Sequence, residues 1–219
     1  MNSDEETAEV LEDTLYNLWS VVNDLSRIKP KQERNRVTIF GSSRVQPDHS
    51  LYDEVKELAK RLAEMNCDIV TGGGPGLMQA ANEGEELGDP DDRTRSVGIR
   101  VDLPFEQGAN PFVTTVYTHE TFFTRLHHFV RLSNAFIVVE GGLGTTLELA
   151  MVWQLLQVDH IEDVPLVLLG DMWDDLIDWA ETHMISGEIE YASPADIEIP
   201  HCVSSVDEAV DVIAEHVDE

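Results

Sequence analysis

From Val37 onward, short apolar runs alternate with amphipathic stretches, and this alternation constrains the fold more than any other feature of the chain. The runs are VTIFG (37–41), CDIVT (67–71), SVGIRV (96–101), AFIVVE (135–140) and VPLVLLG (164–170), with a shorter one near 114–117. Strands that are apolar throughout are buried on both faces, and such strands belong to parallel sheets covered by helices. Between them, helical spacing predicts helices over about 51–65, 75–87, 122–132, 145–158, 173–184 and 206–216. Pro75 fits the first turn of the second helix and Gly88 its stop. The expected fold is α/β: a doubly wound, Rossmann-like parallel sheet with helices on both faces, in one domain over residues 37–219. Ahead of it, Leu11, Leu15, Leu18, Val22 and Leu25 predict an amphipathic helix over 7–26, joined by a polar linker ending at residue 36.

In open sheets of this kind ligands sit beyond the carboxyl ends of the strands. Three glycine-bearing turns are expected there: Gly41-Ser42-Ser43, the GGGPG stretch of 72–76, and Gly141-Gly142-Leu143-Gly144-Thr145. Glycine lets the backbone approach a ligand, and a helix N-terminus offers unpaired N–H groups and a positive dipole end to a phosphate. The turns are neither a GxxxxGK[ST] loop nor a dinucleotide GxGxxG.

Charge limits the partners. The chain has 43 acidic and 14 basic residues, a net charge of −29, with acids spread along its whole length. Such a surface repels nucleic acid and anionic membranes, so neither is an expected partner. It suits a cytoplasm of molar salt, where screening removes most self-repulsion, and a halophilic source is the expectation. With lysine confined to Lys29, Lys31, Lys56 and Lys60, an anion must be held largely by backbone. The acidic start, MNSDEETAEV, lacks the basic and apolar pattern of a secretory signal, and no apolar run approaches the ~20 residues needed to cross a bilayer. A cytoplasmic location follows as the expectation. Cys67 and Cys202 are too few for a thiolate site, and His127 and His128 are adjacent rather than at ligand spacing, so no metal is expected.

The motifs resemble those of the LOG (Lonely Guy) family, nucleoside 5′-monophosphate phosphoribohydrolases whose relatives often carry a lysine decarboxylase label. Its PGGxGTxxE signature is matched by residues 140–148, with Glu140 in place of proline. GGGPGLMQAAN, with Gly73, Gly74, Gly76 and Met78, is similar to the family's GGGxGLM segment, and FGSS to its first phosphate-side turn. DLPFEQGANPF (102–112), containing Glu106, and FFTRL (122–126) are similar to the longer bacterial members. The resemblance implies catalytic roles for Arg125 and Glu148, and a phosphate- or substrate-binding role for Gly41, Ser42, Ser43, Gly73, Gly74, Gly76, Met78, Glu106, Gly141, Gly142, Gly144 and Thr145. The lysine that follows the family's arginine is Leu126 here. The implied reaction hydrolyses the N-glycosidic bond of a nucleoside 5′-monophosphate, without a cofactor. The alternative is a non-catalytic nucleotide-binding or carrier protein on the same scaffold, which Glu140 and Leu126 favour.

Independently of the resemblance, Thr145-Thr-Leu-Glu148 reads as a capping box, in which Glu148 only secures a helix start. Glu140 is expected to face away from a phosphate in the adjoining turn and pair with an arginine such as Arg131, the alternative being that it faces the site and weakens binding. A pyridoxal-phosphate decarboxylase is excluded by chemistry, since it needs a Schiff-base lysine and all four lysines precede the glycine-rich turns at 72–76 and 141–145. The apolar stripes of 7–26 and 145–158 point to a homodimer.

Overall fold

The computed structural model describes Thr14, residues 34–102 and residues 108–217. In space the chain divides into two units, 1–33 and 34–219, and the sheet belongs to the second. The predicted N-terminal helix, with its stripe from Leu11 to Leu25, and Glu106 lie outside the described residues.

The strands are β1 (Arg36–Phe40), β2 (Asp68–Thr71), β3 (Ser96–Val101), β4 (Thr115–His119), β5 (Ala135–Val138), β6 (Leu166–Leu169) and β7 (Pro200–Val203). The helices are α1 (Ser50–Glu64), α2 (Leu77–Gly88), α3 (Phe122–Leu132), α4 (Leu143–Gln157), α5 (Asp171–Ala180), α6 (Pro194–Ile197) and α7 (Val206–Val217). Among the described residues, seven strands form one sheet in the order β4-β3-β2-β1-β5-β6-β7, and every pairing is parallel. From β1 the chain steps outward to β4, then returns to lay β5 against the other side of β1. The order therefore reverses between β1 and β5, where a ligand crevice opens in such sheets.

Successive residues of a strand point to opposite faces, and two cores result. Val37, Ile39, Ile69, Ile137 and Val167 meet Val55, Leu58 and Leu62 of α1, Leu77 and Ala80 of α2, and Ile213 of α7. Phe40, Val70, Ile99, Phe136 and Leu168 meet Phe129 of α3, Leu149 and Val152 of α4, and Trp173 of α5. On the first face α2 lies unusually close to α1. A Cβ at Gly84 or Gly88 would run into the carbonyl oxygens of Lys56 and Lys60, so the four-residue repeat of glycine sets that helix separation.

Several expectations are corrected at element ends. Pro75 and Gly76 precede α2, with Gly76 as N-cap at φ +71°, and Gly88 is the last helical residue. The predicted 173–184 helix is α5 followed by a π-helical turn, Glu181–Ile185. Strand β7 and the one-turn α6 were not anticipated. PHCV opens on proline and buries only Pro200, which is how an edge strand looks in sequence.

Candidate active site

The three glycine turns leave the carboxyl ends of β1, β2 and β5 and meet at the switch point. Ser42 N–H donates to the Glu140 carbonyl (3.0 Å) and Leu77 N–H to the Ser42 carbonyl (2.8 Å), which joins all three. Gly76 has positive φ, and a Cβ there would strike Ser42 O and Ser43. Gly41 is pressed against Val139 and Leu77, and Gly141 against the Thr145 side chain. Packing alone accounts for these three glycines. Gly142 and Gly144 differ: among the described residues no heavy atom beyond their chain neighbours and the helix's own backbone lies within 4 Å of where their Cβ would stand, so packing does not account for glycine at these two positions.

The start of α4 has a matching property. The helix begins at Leu143 with Gly142 as N-cap, and no side chain caps it. The capping-box reading of Thr145–Glu148 is therefore overturned: the helix starts two residues earlier, and Glu148 lies in its second turn, 9% exposed. An uncapped N-terminus keeps its N–H groups and its dipole end available to an anion.

Arg125 and Glu148 are brought together by α3 and α4, which flank the same face of the sheet. Arg125 Nη1 donates to Glu148 Oε1 at 3.0 Å, with both side chains about nine-tenths buried, 12% and 11% exposed. Arg125 is fixed from three sides. Its Nε donates to the Ile99 carbonyl at 2.8 Å, its guanidinium lies 5.1 Å from the Phe129 ring centroid, and its Nη2 fills the space beside Gly72. Burial pushes the Glu148 carboxyl up to about 7, against the pull of Arg125 toward ionisation. A carboxylate poised there can exchange a proton near neutrality.

Met78 extends over the GGG turn, its Sδ 2.7 Å from a Cβ position on Gly72 and its Cε 2.7 Å from one on Gly74. Beneath the turn runs a buried amide network that the sequence did not reveal. Asn110 N–H donates to the Gly73 carbonyl, and Asn110 Nδ2 donates to the Gly74 carbonyl (3.0 Å) and to Asn82 Oδ1 (2.9 Å). Thr71 Oγ1 donates to Asn82 Oδ1 and accepts from Gly73 N–H, while Asn82 Nδ2 donates to Ser96 Oγ. These residues hold the turn's shape. The available signal was amides inside otherwise apolar or glycine-rich segments, GLMQAAN and EQGAN.

Glu140 is exposed and its side chain lies over Gly170, Cγ 2.9 Å from a Cβ position there. Gly170 follows β6, on the side of β5 away from β1, and the carboxylate leans to that side. On α3, His128 Nδ1 meets His119 Nε2 at 2.9 Å. Burial, with His119 and Arg131 nearby, pushes His128 down to about 4. Among the described residues no group of three or more His, Cys, Asp or Glu side chains is placed to hold a metal, and no helix is long and apolar enough to cross a membrane.

Such a parallel sheet, with helices on both faces and its strand order reversing between β1 and β5, defines a Rossmann-like α/β protein. Residues 78–213 match the family described as "Possible lysine decarboxylase". The chain belongs to that family, the LOG type to which its motifs point. It is 26% identical over 159 residues to the pyrimidine/purine nucleotide 5′-monophosphate nucleosidase of Escherichia coli K12, a match covering 70% of this chain. The chain spans about a third, 35%, of that relative's length. Among solved structures it is similar to the structural-genomics target TM1055 (TM-score 0.62, 25% identity, 83% of this chain and 99% of that one). The molybdenum cofactor carrier protein of Chlamydomonas reinhardtii shares the fold (TM-score 0.61, 18% identity, 85% and 100%). Of the described lysines, Lys56 and Lys60 lie on α1 in ion pairs with Asp53, Glu83, Glu57 and Glu64, so neither stands at the crevice to form a Schiff base.

Proposed function

We propose that this chain hydrolyses the N-glycosidic bond of a nucleoside 5′-monophosphate to free base and ribose 5-phosphate. The observation that carries the reading is the buried Arg125–Glu148 pair one turn inside the uncapped start of α4. The phosphate accepts hydrogen bonds from the backbone of Gly142, Gly144 and Thr145, with the turns at Ser42-Ser43 and Gly73–Gly76 enclosing the nucleotide and Met78 lining it. A phosphate held there brings the ribose within reach of Glu148. As the C1′–N bond breaks, the ionised carboxylate stabilises positive charge on the ribose and takes a proton from the attacking water. Water oxygen bonds to C1′, the bonding pair leaves with the base, and the proton passes to the base. Arg125 orients Glu148 and holds down its pKa. The match to a relative named as a nucleotide 5′-monophosphate nucleosidase agrees with this reading.

The protein works as a homodimer in this reading; the expected stripe of Met151, Val152, Leu155 and Leu156 packs into the core of the same chain, which leaves the outer face of α4 for the interface. Leu143 is 91% and Leu147 50% exposed, and Glu148 is the one charged residue of that helix. Leu126, where the family resemblance implies lysine, favours the runner-up of a nucleotide carrier that binds without turnover. Chromatography of a panel of nucleoside 5′-monophosphates in molar KCl separates the two. Free base is expected from at least one of them; tight binding with no base released would establish the carrier instead.

A further inference from the structure

The phosphate and ribose of the proposed substrate meet the groups named above, and α3 supplies one for the base. Residues 122, 125, 126, 129 and 130 recur at helical spacing as one stripe of α3, whose far end, Phe129 and Val130, packs into the core against the sheet. Phe129 and Val130, further along the stripe, are 0% and 8% exposed, whereas Phe122 at its start is 46% exposed. Phe122 therefore stands clear of the core that covers the far end of the stripe. The topology agrees: β4 ends at His119, and α3 begins three residues later, so its first turn overhangs the carboxyl edge where ligands sit. Side chains on a helix lean toward its N-terminus, which carries the Phe122 ring further out over that edge. Arg125 lies three residues along the same stripe, hydrogen-bonded to Glu148. Phe122 thus stands about one turn of the helix before Arg125, about 5 Å along its axis.

Resting on the hydrolase reading, we infer that Phe122 is the surface on which the departing base stacks, and that it selects for a flat aromatic base. Stacking on a ring tolerates any base, because each has a π-face, and it is strong enough to change affinity about tenfold. Phe123 provides the internal control. It is more exposed, at 82%, and leaves the helix about 100° around from Phe122.

The test compares AMP with ribose 5-phosphate, which lacks the base. In Phe122→Ala, KM for AMP is expected to rise about tenfold, while inhibition by ribose 5-phosphate stays at the wild-type value. Phe122→Trp should restore the AMP KM, and Phe123→Ala should leave both readings unchanged. An unchanged AMP KM in Phe122→Ala would overturn the inference. So would a parallel loss of ribose 5-phosphate binding, since Phe122 would then be shaping the whole site. Wild-type protein that neither binds nor cleaves any monophosphate overturns the hydrolase reading and this one together, a result distinct from wild-type activity that Phe122→Ala leaves intact.

Discussion

Glu148 concentrates the chemistry of the site in one group. It is buried, paired with Arg125, and raised to about 7. If the ionised form is the working one, kcat/KM must fall as pH drops through about 7, above the second ionisation of a substrate phosphate near about 6. An acid limb in the ordinary carboxylate range would show that Glu148 is not the titrating group. Glu148→Gln keeps the size and a hydrogen-bonding oxygen for Arg125 but loses the charge, so turnover should fall by about 100-fold or more while nucleotide binding persists by calorimetry. Near-normal turnover would remove Glu148 from the mechanism. Glu140 calls for the opposite expectation. A carboxylate ~6 Å from a phosphate costs roughly 1–3 kcal/mol at an effective dielectric of 20–40, but here it leans toward Gly170. Glu140→Pro should therefore change affinity less than about threefold in molar KCl, and a tenfold tightening would show that Glu140 faces the phosphate after all.

At the scale of elements, the apolar runs made the sheet legible because strands buried on both faces have little else to be. The turns were legible for a related reason: glycine between a strand and a helix marks a tight turn, whether close packing or a ligand calls for it. Two things were not. The frame of α4 was misread because Thr145 and Glu148 match a capping box in sequence, while the helix starts at Leu143 on a glycine that leaves no side-chain trace. The Asn82–Asn110 network was missed because its partners lie 28 residues apart and meet only through the fold. The glycines of α2 carry a further prediction. At Gly84 an added Cβ meets the backbone of α1 rather than a side chain that could move. Gly84→Ala should therefore destabilise the protein by about 1–3 kcal/mol despite alanine's better helix propensity. Unchanged denaturant midpoints would mean that α1 and α2 separate freely.

At the scale of the whole molecule, charge dominates. A net charge of −29 on 219 residues destabilises the compact state by self-repulsion, which salt screens within about 3 Å at 1 M. Thermal stability should rise as KCl increases from about 0.1 M to about 2 M, and a flat or falling Tm would contradict the halophilic reading of the composition. The same repulsion acts between copies, so a dimer needs a surface poor in acids, and the exposed face of α4 is one. Light scattering in high salt should give a dimer, with Leu147→Asp shifting it toward monomer; a wild-type monomer would refute this interface. The central claim is that the crevice between β1 and β5 holds a 5′-phosphate while Arg125 and Glu148 direct cleavage of the glycosidic bond. The most direct measurement follows adenine and ribose 5-phosphate together, with AMP and adenosine as paired substrates in molar KCl. Equimolar adenine and ribose 5-phosphate from AMP, with adenosine left intact, is the predicted result. Equal rates on AMP and adenosine would contradict the claim, because the glycine turns would then have no part in selecting the substrate.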